Sequence, residues 1–412
     1  MTAERPLVAR TWRLDGEVDL LAVAGPEGQI WESAGLSLAG RGEAVRLVVA
    51  GGVSGRAATA RKLAEVLSAM TIEGEPGAPG PLALTALPFD PDHEGTVVVP
   101  ALQVRRSADG ARWATVVGDA ESLPATPPQL VDGSRPWPQP TCYYVRTADR
   151  PEHWMKCVEA GRDEVRAGRL RKVVLARVVD VEADVELDQT VVLRRLRGTY
   201  PTCLRFGVDG FVGASPELLV ARQGDIVRAQ PMAGTAPRLG DPAADARLAA
   251  GLLASEKDRT EHQVTIDEVE TALLPFCSYL DALAQPEVVA VANVQHLATL
   301  VEGRLSRPLP SVLELVAALH PTPAVGGDPR SEALKLIARL EPHGRGRYAG
   351  PVGWIDAAGN GEFAVGIRSA ELHGARARVY AGVGVVADSD PQAEFAETQA
   401  KFQAMLGALI RP

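Results

Sequence analysis

Tyr380-Ala-Gly-Val-Gly384-Val-Val-Ala-Asp388-Ser-Asp390-Pro391-Gln-Ala-Glu394-Phe-Ala-Glu397-Thr-Gln-Ala-Lys401 carries a strand straight into a helix. Residues 378–386 alternate β-branched and small side chains, the mark of a strand. Asp390 is a helix N-cap and Pro391 suits the first helical position. Glu394, Glu397 and Lys401 follow at i, i+3 and i+7, so they share one helix face. Phe395, Phe402, Leu406 and Leu409 form a neighbouring apolar stripe that can pack on the body of the protein. Two carboxylates one turn apart are a minimal offer to a hard divalent cation. The lysine beyond them could hold an anion carried in beside that cation. The same spacing also describes a solvated helix face with stabilising ion pairs, and the preceding chain has to decide between the two.

The bulk properties narrow the field. The chain has 412 residues, 46% hydrophobic and 5% aromatic, as expected of a large water-soluble α/β or α+β protein. A net charge of -9 argues against nucleic acid as the main partner. No apolar run is long enough to span a bilayer, and the first residues lack the basic-then-apolar signal-peptide pattern. A cytoplasmic location is therefore expected. Cys142, Cys157, Cys203 and Cys277 are scattered without C-x-x-C spacing, so reduced, buried cysteines are expected in place of disulfides or zinc. No phosphate-binding glycine motif precedes a helix. Of the 43 basic residues only six are lysine, Lys172 and Lys401 among them. Only lysine titrates within reach of neutral pH, so a chain that defaults to arginine gives its lysines added interest.

Residues 45–50 and 96–104 read as strands and 57–70 as a helix, with no chemical constellation among them. A proline-rich run at 121–140 is the best boundary. It divides residues 1–140, an N-terminal region packed into the same fold, from a catalytic domain at 141–412. Beyond it, Asp149 is expected to cap a helix whose apolar face is Trp154, Val158, Gly161 and Val165. That helix leads into a strand at 171–180, in which Lys172 shares a face with Val174, Ala176 and Val178. If that face is interior, desolvation makes Lys172 a usable general base; otherwise it is a strand-end lysine in solvent. Glu217, in Gly213-Ala-Ser-Pro-Glu-Leu-Leu219, lies where a proline-led corner enters an apolar strand. It is either a carboxylic acid with a raised pKa or a solvated rim residue.

A glycine- and proline-rich loop is expected at 231–240, able to present Gly234 and Thr235 to an anion. One long helix over 242–283 then carries Asp258 and Glu261, a second acidic pair at one-turn spacing. Four converging carboxyl groups would repel without a cation among them, which makes Mg²⁺ the natural ion. His296 sits in a short strand, as a ligand contact or a satisfied core residue. Residues 320–327 form a rigid loop, and 348–355 pairs with 362–370 in a hairpin. In that hairpin Arg368 shares a strand face with small residues and has room to bind a carboxylate.

The motifs K-V-V-L-A-R (172–177), G-A-S-P-E-L-L, P-M-A-G-T-A-P-R (231–238), S-E-K-D-R-T-E-H (255–262), H-P-T-P-A-V (320–325), F-A-V-G-I-R-S-A (363–370), Y-A-G-V-G-V-V-A-D-S-D-P and E-F-A-E-T-Q-A-K occur in one order. As an ordered set over residues 160–408 they resemble the chorismate-utilising enzymes, most closely the isochorismate synthases. Anthranilate synthase component I, aminodeoxychorismate synthase component I and salicylate synthase belong to the same family. The resemblance implies a single large α+β fold of extended antiparallel sheets packed face to face with helices outside, and a chorismate pocket between the sheets that uses Mg²⁺. By the same resemblance Glu261 and Glu397 would be direct metal ligands, with Asp258 and Glu394 acting through water. Arg368 and Lys401 would grip a substrate carboxylate, and Gly234, Thr235, His296, Ala324, Tyr348 and Gly382 would line the substrate.

Within that family, adding water at C2 with loss of the C4 hydroxyl needs a base and an acid, roles that fall to Lys172 and Glu217. Ammonia-using relatives carry glutamine in place of this lysine. Aminodeoxychorismate synthases carry a nucleophilic lysine where this chain has Ala233. The implied activity is therefore isochorismate synthase, feeding siderophore, menaquinone or salicylate-derived products, with no glutaminase subunit and a monomeric state expected. The alternative is salicylate synthase, in which pyruvate elimination follows. Val325, where a bulkier side chain is expected, and Tyr348, which resembles a tyrosine of salicylate synthases, keep it open.

Overall fold

The computed structural model of the chain describes residues 7–130, 138–291 and 294–410. Its frame is two large sheets of 13 and nine strands, with a separate sheet of three. Pairing is antiparallel throughout apart from short Leu7–Arg13 beside Thr71–Gly74. The two large sheets pack face to face. One buried cluster joins Val173 and Leu175 of the larger sheet to Val220, Val227 and Phe363 of the smaller; another joins Phe206 and Phe211 to Val352 and Ala364. Such sheet-on-sheet cores arise because alternation turns every second side chain inward.

Both large sheets draw strands from each side of the 121–140 run. Gln29–Glu32 pairs with Leu204–Val208 in the larger sheet, and Ala83–Ala86 with Pro351–Ile355 in the smaller. Part of the 121–140 run, residues 131–137, lies outside the described residues.

Several continuous β-like runs turn out to be two strands in different sheets. The 96–104 run splits into Gly95–Val99 of the nine-stranded sheet and Leu102–Ser107 of the 13-stranded one, broken at Pro100, which has no N–H for a ladder. The 362–370 run splits into Gly361–Val365 and Ser369–His373 in the same way. The 231–240 segment is not a loop: Met232–Pro237 is a strand of the small sheet, bulged between Ala233 and Thr235 with Gly234 at φ +77°.

The helices need adjusting too. The 57–70 helix starts earlier, as Gly52–Ala69. Asp149 caps nothing; Arg150 takes the N-cap position of Pro151–Arg166, and Asp149 lies 3.1 Å from His343 Nε2 instead. The single helix expected over 242–283 is Pro242–Ala254 and Glu256–Leu273, followed by the strand Cys277–Ala282. Ser255 makes the break, because its Oγ accepts from Asp258 N–H and caps the second helix. The last helix, Pro391–Ile410, starts as expected, with Asp390 accepting from Ala393 N–H at 2.8 Å. Of the four cysteines only Cys203 is buried, and all are free. No helix among the described residues is long and apolar enough to cross a membrane.

Candidate active site

The candidate residues come together where the chain changes sheets. Ser215 ends a strand of the larger sheet and Leu218 opens one of the smaller, which leaves Glu217 in the crossover, 3% exposed. Burial pushes its carboxyl up to about 8, against the opposing pull of the Met232 N–H bond and the Lys172 charge. At neutral pH it is a carboxylic acid with a proton to give.

Arg368 occupies the second crossover, between Val365 and Ser369, so it does not sit on a strand face as expected. Its φ of +50° is a left-handed conformation that costs a side-chain-bearing residue about 1 kcal/mol or more. The conformation turns a buried guanidinium into the cavity. Nη2 lies 3.3 Å from His296 Nε2, while Nη1 is buried with no hydrogen-bond partner. A buried, half-satisfied guanidinium is what an incoming carboxylate would complete.

His296 holds that arginine. A guanidinium can only donate, so Nε2 must accept and the ring proton sits on Nδ1, beside Gly234 O (3.3 Å) and Thr235 Oγ1 (3.1 Å). Burial, then the charges of Arg368 and Lys401, hold the imidazole down to about 3, so it stays neutral. Both ring nitrogens are engaged by the protein, which makes His296 a support for Arg368 more than a direct ligand.

Lys172 opens the strand Lys172–Ala183, 6% exposed, which settles its orientation in favour of the interior. Gly384, which pairs with Val174 on the adjacent strand, leaves space for it: a Cβ there would lie 2.6 Å from Lys172 Cε. Gly382 does the same for Tyr348, whose hydroxyl would meet a Cβ there at 3.0 Å. Tyr348 is buried, stacked on Tyr380 at 5.0 Å, and burial pushes its phenol up to about 12.

The helices Glu256–Leu273 and Pro391–Ile410 bring both acidic pairs to one cavity, yet not as four converging ligands. Lys172 Nζ donates to Glu261 Oε1 at 2.6 Å, and Lys401 Nζ lies 2.7 Å from Glu397 Oε1 and 2.8 Å from Gly382 O. Among the described residues no three His, Cys, Asp or Glu groups stand close enough to hold an ion as they are. Two of the four carboxylates, Glu261 and Glu397, are instead paired with ammonium groups. The donor set nonetheless fits Mg²⁺: it is all carboxylate oxygen, and two of its members already attract a cation.

Lys172, Glu217, Gly234, Thr235, Asp258, Glu261, His296, Ala324, Tyr348, Arg368, Gly382, Glu394, Glu397 and Lys401 all line one cavity of 260 Å³. The cavity walls also include Tyr380 and Arg345, which sequence reasoning missed. Tyr380 had a signal, since it opens the Y-A-G-V-G run; Arg345 had none. Arg345 donates to Val325 O and Val174 O, both at 2.7 Å, and so ties the 320–327 loop to the lysine strand. A larger cavity of 1320 Å³ lies across the Arg345–Tyr380 wall, but it contains none of the candidate residues. Its charges pair with each other, as Arg378 does with Asp180 at 2.8 Å. The smaller cavity is therefore the candidate site.

Comparison with known proteins identifies the family. The chorismate binding enzyme family profile matches residues 27–410. MenF of Mycobacterium tuberculosis is 42% identical over 346 residues, covering 80% of this chain and 86% of that protein. The isochorismate synthase DhbC of Bacillus subtilis is 38% identical over 344 residues, covering 81% and 82%. The solved structure of MenF, the menaquinone-specific isochorismate synthase of Escherichia coli, superposes with a TM-score of 0.80 over 98% of this chain and 96% of that one. At 24% identity it speaks to the fold alone.

Proposed function

We infer that this chain, which belongs to the chorismate-binding enzyme family, is an isochorismate synthase, an isomerase that adds water at C2 of chorismate and releases the C4 hydroxyl as water. The observation that carries the chemistry is the buried acid. Glu217, held protonated near neutral pH, shares a small cavity with a buried lysine.

In this reading Lys172, as the neutral amine, takes the proton from the attacking water and Glu217 delivers one to the departing C4 hydroxyl, which leaves as water; proton exchange with solvent then returns Lys172 and Glu217 to their starting forms. Arg368, with its open Nη1, receives a substrate carboxylate, and neutral His296 keeps the guanidinium aimed. Lys401 supports the same carboxylate. Gly234, Thr235, Ala324, Tyr348 and Gly382 shape the wall around the ring. Glu261 and Glu397, backed by Asp258 and Glu394, would hold Mg²⁺, which would supply positive charge against the substrate's other carboxylate.

The test is chromatography of the products from chorismate and Mg²⁺, with and without an ammonium salt. Isochorismate alone, unchanged by ammonium, is expected. Salicylate with pyruvate would replace this reading with salicylate synthase, and an ammonium-dependent amine would overturn the role of Lys172.

A further inference from the structure

Two of the six lysines in the chain stand on the two carboxylates assigned to the metal. The pairs come from different places: Lys172 reaches from a strand of the larger sheet to Glu261, and Lys401 reaches one turn back along the last helix to Glu397. Neither is a loose surface contact, since the lysine side chains are 7% and 16% exposed. A divalent ion entering between the two glutamates would meet both ammonium groups at once, and like charges at such range in a poorly screened cavity repel strongly.

We propose that Lys172 and Lys401 are built-in counter-cations that Mg²⁺ must displace, so that lysine and metal compete for Glu261 and Glu397. Displacement is then what releases Lys401 toward the substrate carboxylate and Lys172 toward the attacking water, Lys172 giving up its proton to solvent before it serves as the base. This rests on the reading of those glutamates as metal ligands. With Glu261 engaged in this way Lys172 is held on a carboxylate, and Mg²⁺ taking that carboxylate would release it. The two pairs are unequal. Lys401 keeps Gly382 O at 2.8 Å when Glu397 is taken, whereas Lys172–Glu261 is the more buried pair, so the competition is strongest there. Linkage makes the effect reciprocal: a dianionic substrate that takes the lysines away must tighten Mg²⁺ binding, and Mg²⁺ must tighten substrate binding.

The test is calorimetric titration of Mg²⁺ into the full chain without substrate, for wild type, Lys172→Met, Lys172→Arg and Arg368→Gln. Removing the competitor should tighten Mg²⁺ about tenfold in Lys172→Met, the usual scale of such couplings, while Lys172→Arg, which can still pair with Glu261, should not. Arg368→Gln removes a cation from the same cavity that touches neither glutamate, so it measures the loss of charge at a distance and should change Mg²⁺ affinity by less than about twofold. Mg²⁺ should also raise the melting temperature of Lys172→Met more than that of wild type, which reports the same competition even in a destabilised variant. Equal or weaker Mg²⁺ binding by Lys172→Met, or equal tightening in Arg368→Gln, would overturn the proposal while leaving the metal reading intact. Absence of Mg²⁺ binding in every variant would overturn both.

Discussion

At the scale of single residues, Lys172 and Glu217 are asked to do opposite things in one cavity, and they can be tested apart. Lys172→Ala should lower kcat by about 10²–10⁴, because a general base acts only in the chemical step, while chorismate binding stays measurable by calorimetry. Turnover close to wild type would remove Lys172 from that role. For Glu217→Gln the pH dependence is the sharper readout. The unfolded carboxyl loses its proton near the ordinary 4.5 and the folded one near 8. The stability it contributes is therefore complete below 4.5 and lost as the pH climbs through about 8. At about 1.4 kcal/mol per pH unit the whole span is worth at most about 5 kcal/mol. Glu217→Gln should abolish turnover and flatten the fall in melting temperature between pH 5 and 8. An unchanged slope would mean that the carboxyl is not held protonated. Both residues could be picked out in the sequence, but only as alternatives. Lys172 could be interior or solvated, Glu217 buried or on a rim, and local pattern holds no information about what covers a side chain from another part of the chain.

At the scale of elements, the helix that carries Glu394, Glu397 and Lys401 is aimed by its neighbouring face. Arg177, 2% exposed, lies with its guanidinium 4.0 Å over Phe395 and within 5.5 Å of Trp154, and its Nη1 donates to Thr398 Oγ1 at 2.8 Å. The same strand bears Lys172, so Arg177 fixes the last helix against the lysine strand. Arg177→Ala should cost about 2–4 kcal/mol through lost packing and cation–π contact, read as a lower melting temperature. An unchanged melt would show that the helix is held elsewhere. The last helix was legible where a cap marks it, at Asp390, because that signal acts over three or four residues. Strand breaks were not. Val99 and Leu102 look alike in hydropathy, and 362–370 reads as one continuous run, yet Val99 and Leu102, like Val365 and Ser369, belong to different sheets. That is why Arg368 was misread as a strand residue.

At the scale of the molecule, the N-terminal and C-terminal parts of the chain share both large sheets. The Val352–Ala86 and Phe206–Trp31 registers join residues far apart in sequence, and Trp31 and Phe206 are fully buried. A fragment of residues 141–412 would expose those edges and half of the inter-sheet core. It is expected to be unfolded or aggregated, judged by circular dichroism and thermal melting. A soluble fragment with a cooperative melt would show that the catalytic half is an independent domain.

By itself the sequence determined the chemistry on offer: which acids, bases and cations exist, their one-turn spacings, and, through the ordered motifs, the family to which they point. Helix periodicity and capping are local effects, and so they could be read directly. What only the tertiary structure decided is which side chains meet. Glu217 holds its proton because the sheet crossover buries it, and Arg368 is a buried guanidinium with an open Nη1, on a backbone that turns left-handed between two sheets. One carboxylate of each acidic pair, Glu261 and Glu397, became the partner of a lysine. Burial and Coulomb energy depend on distances through space, which the order of residues along a chain does not contain.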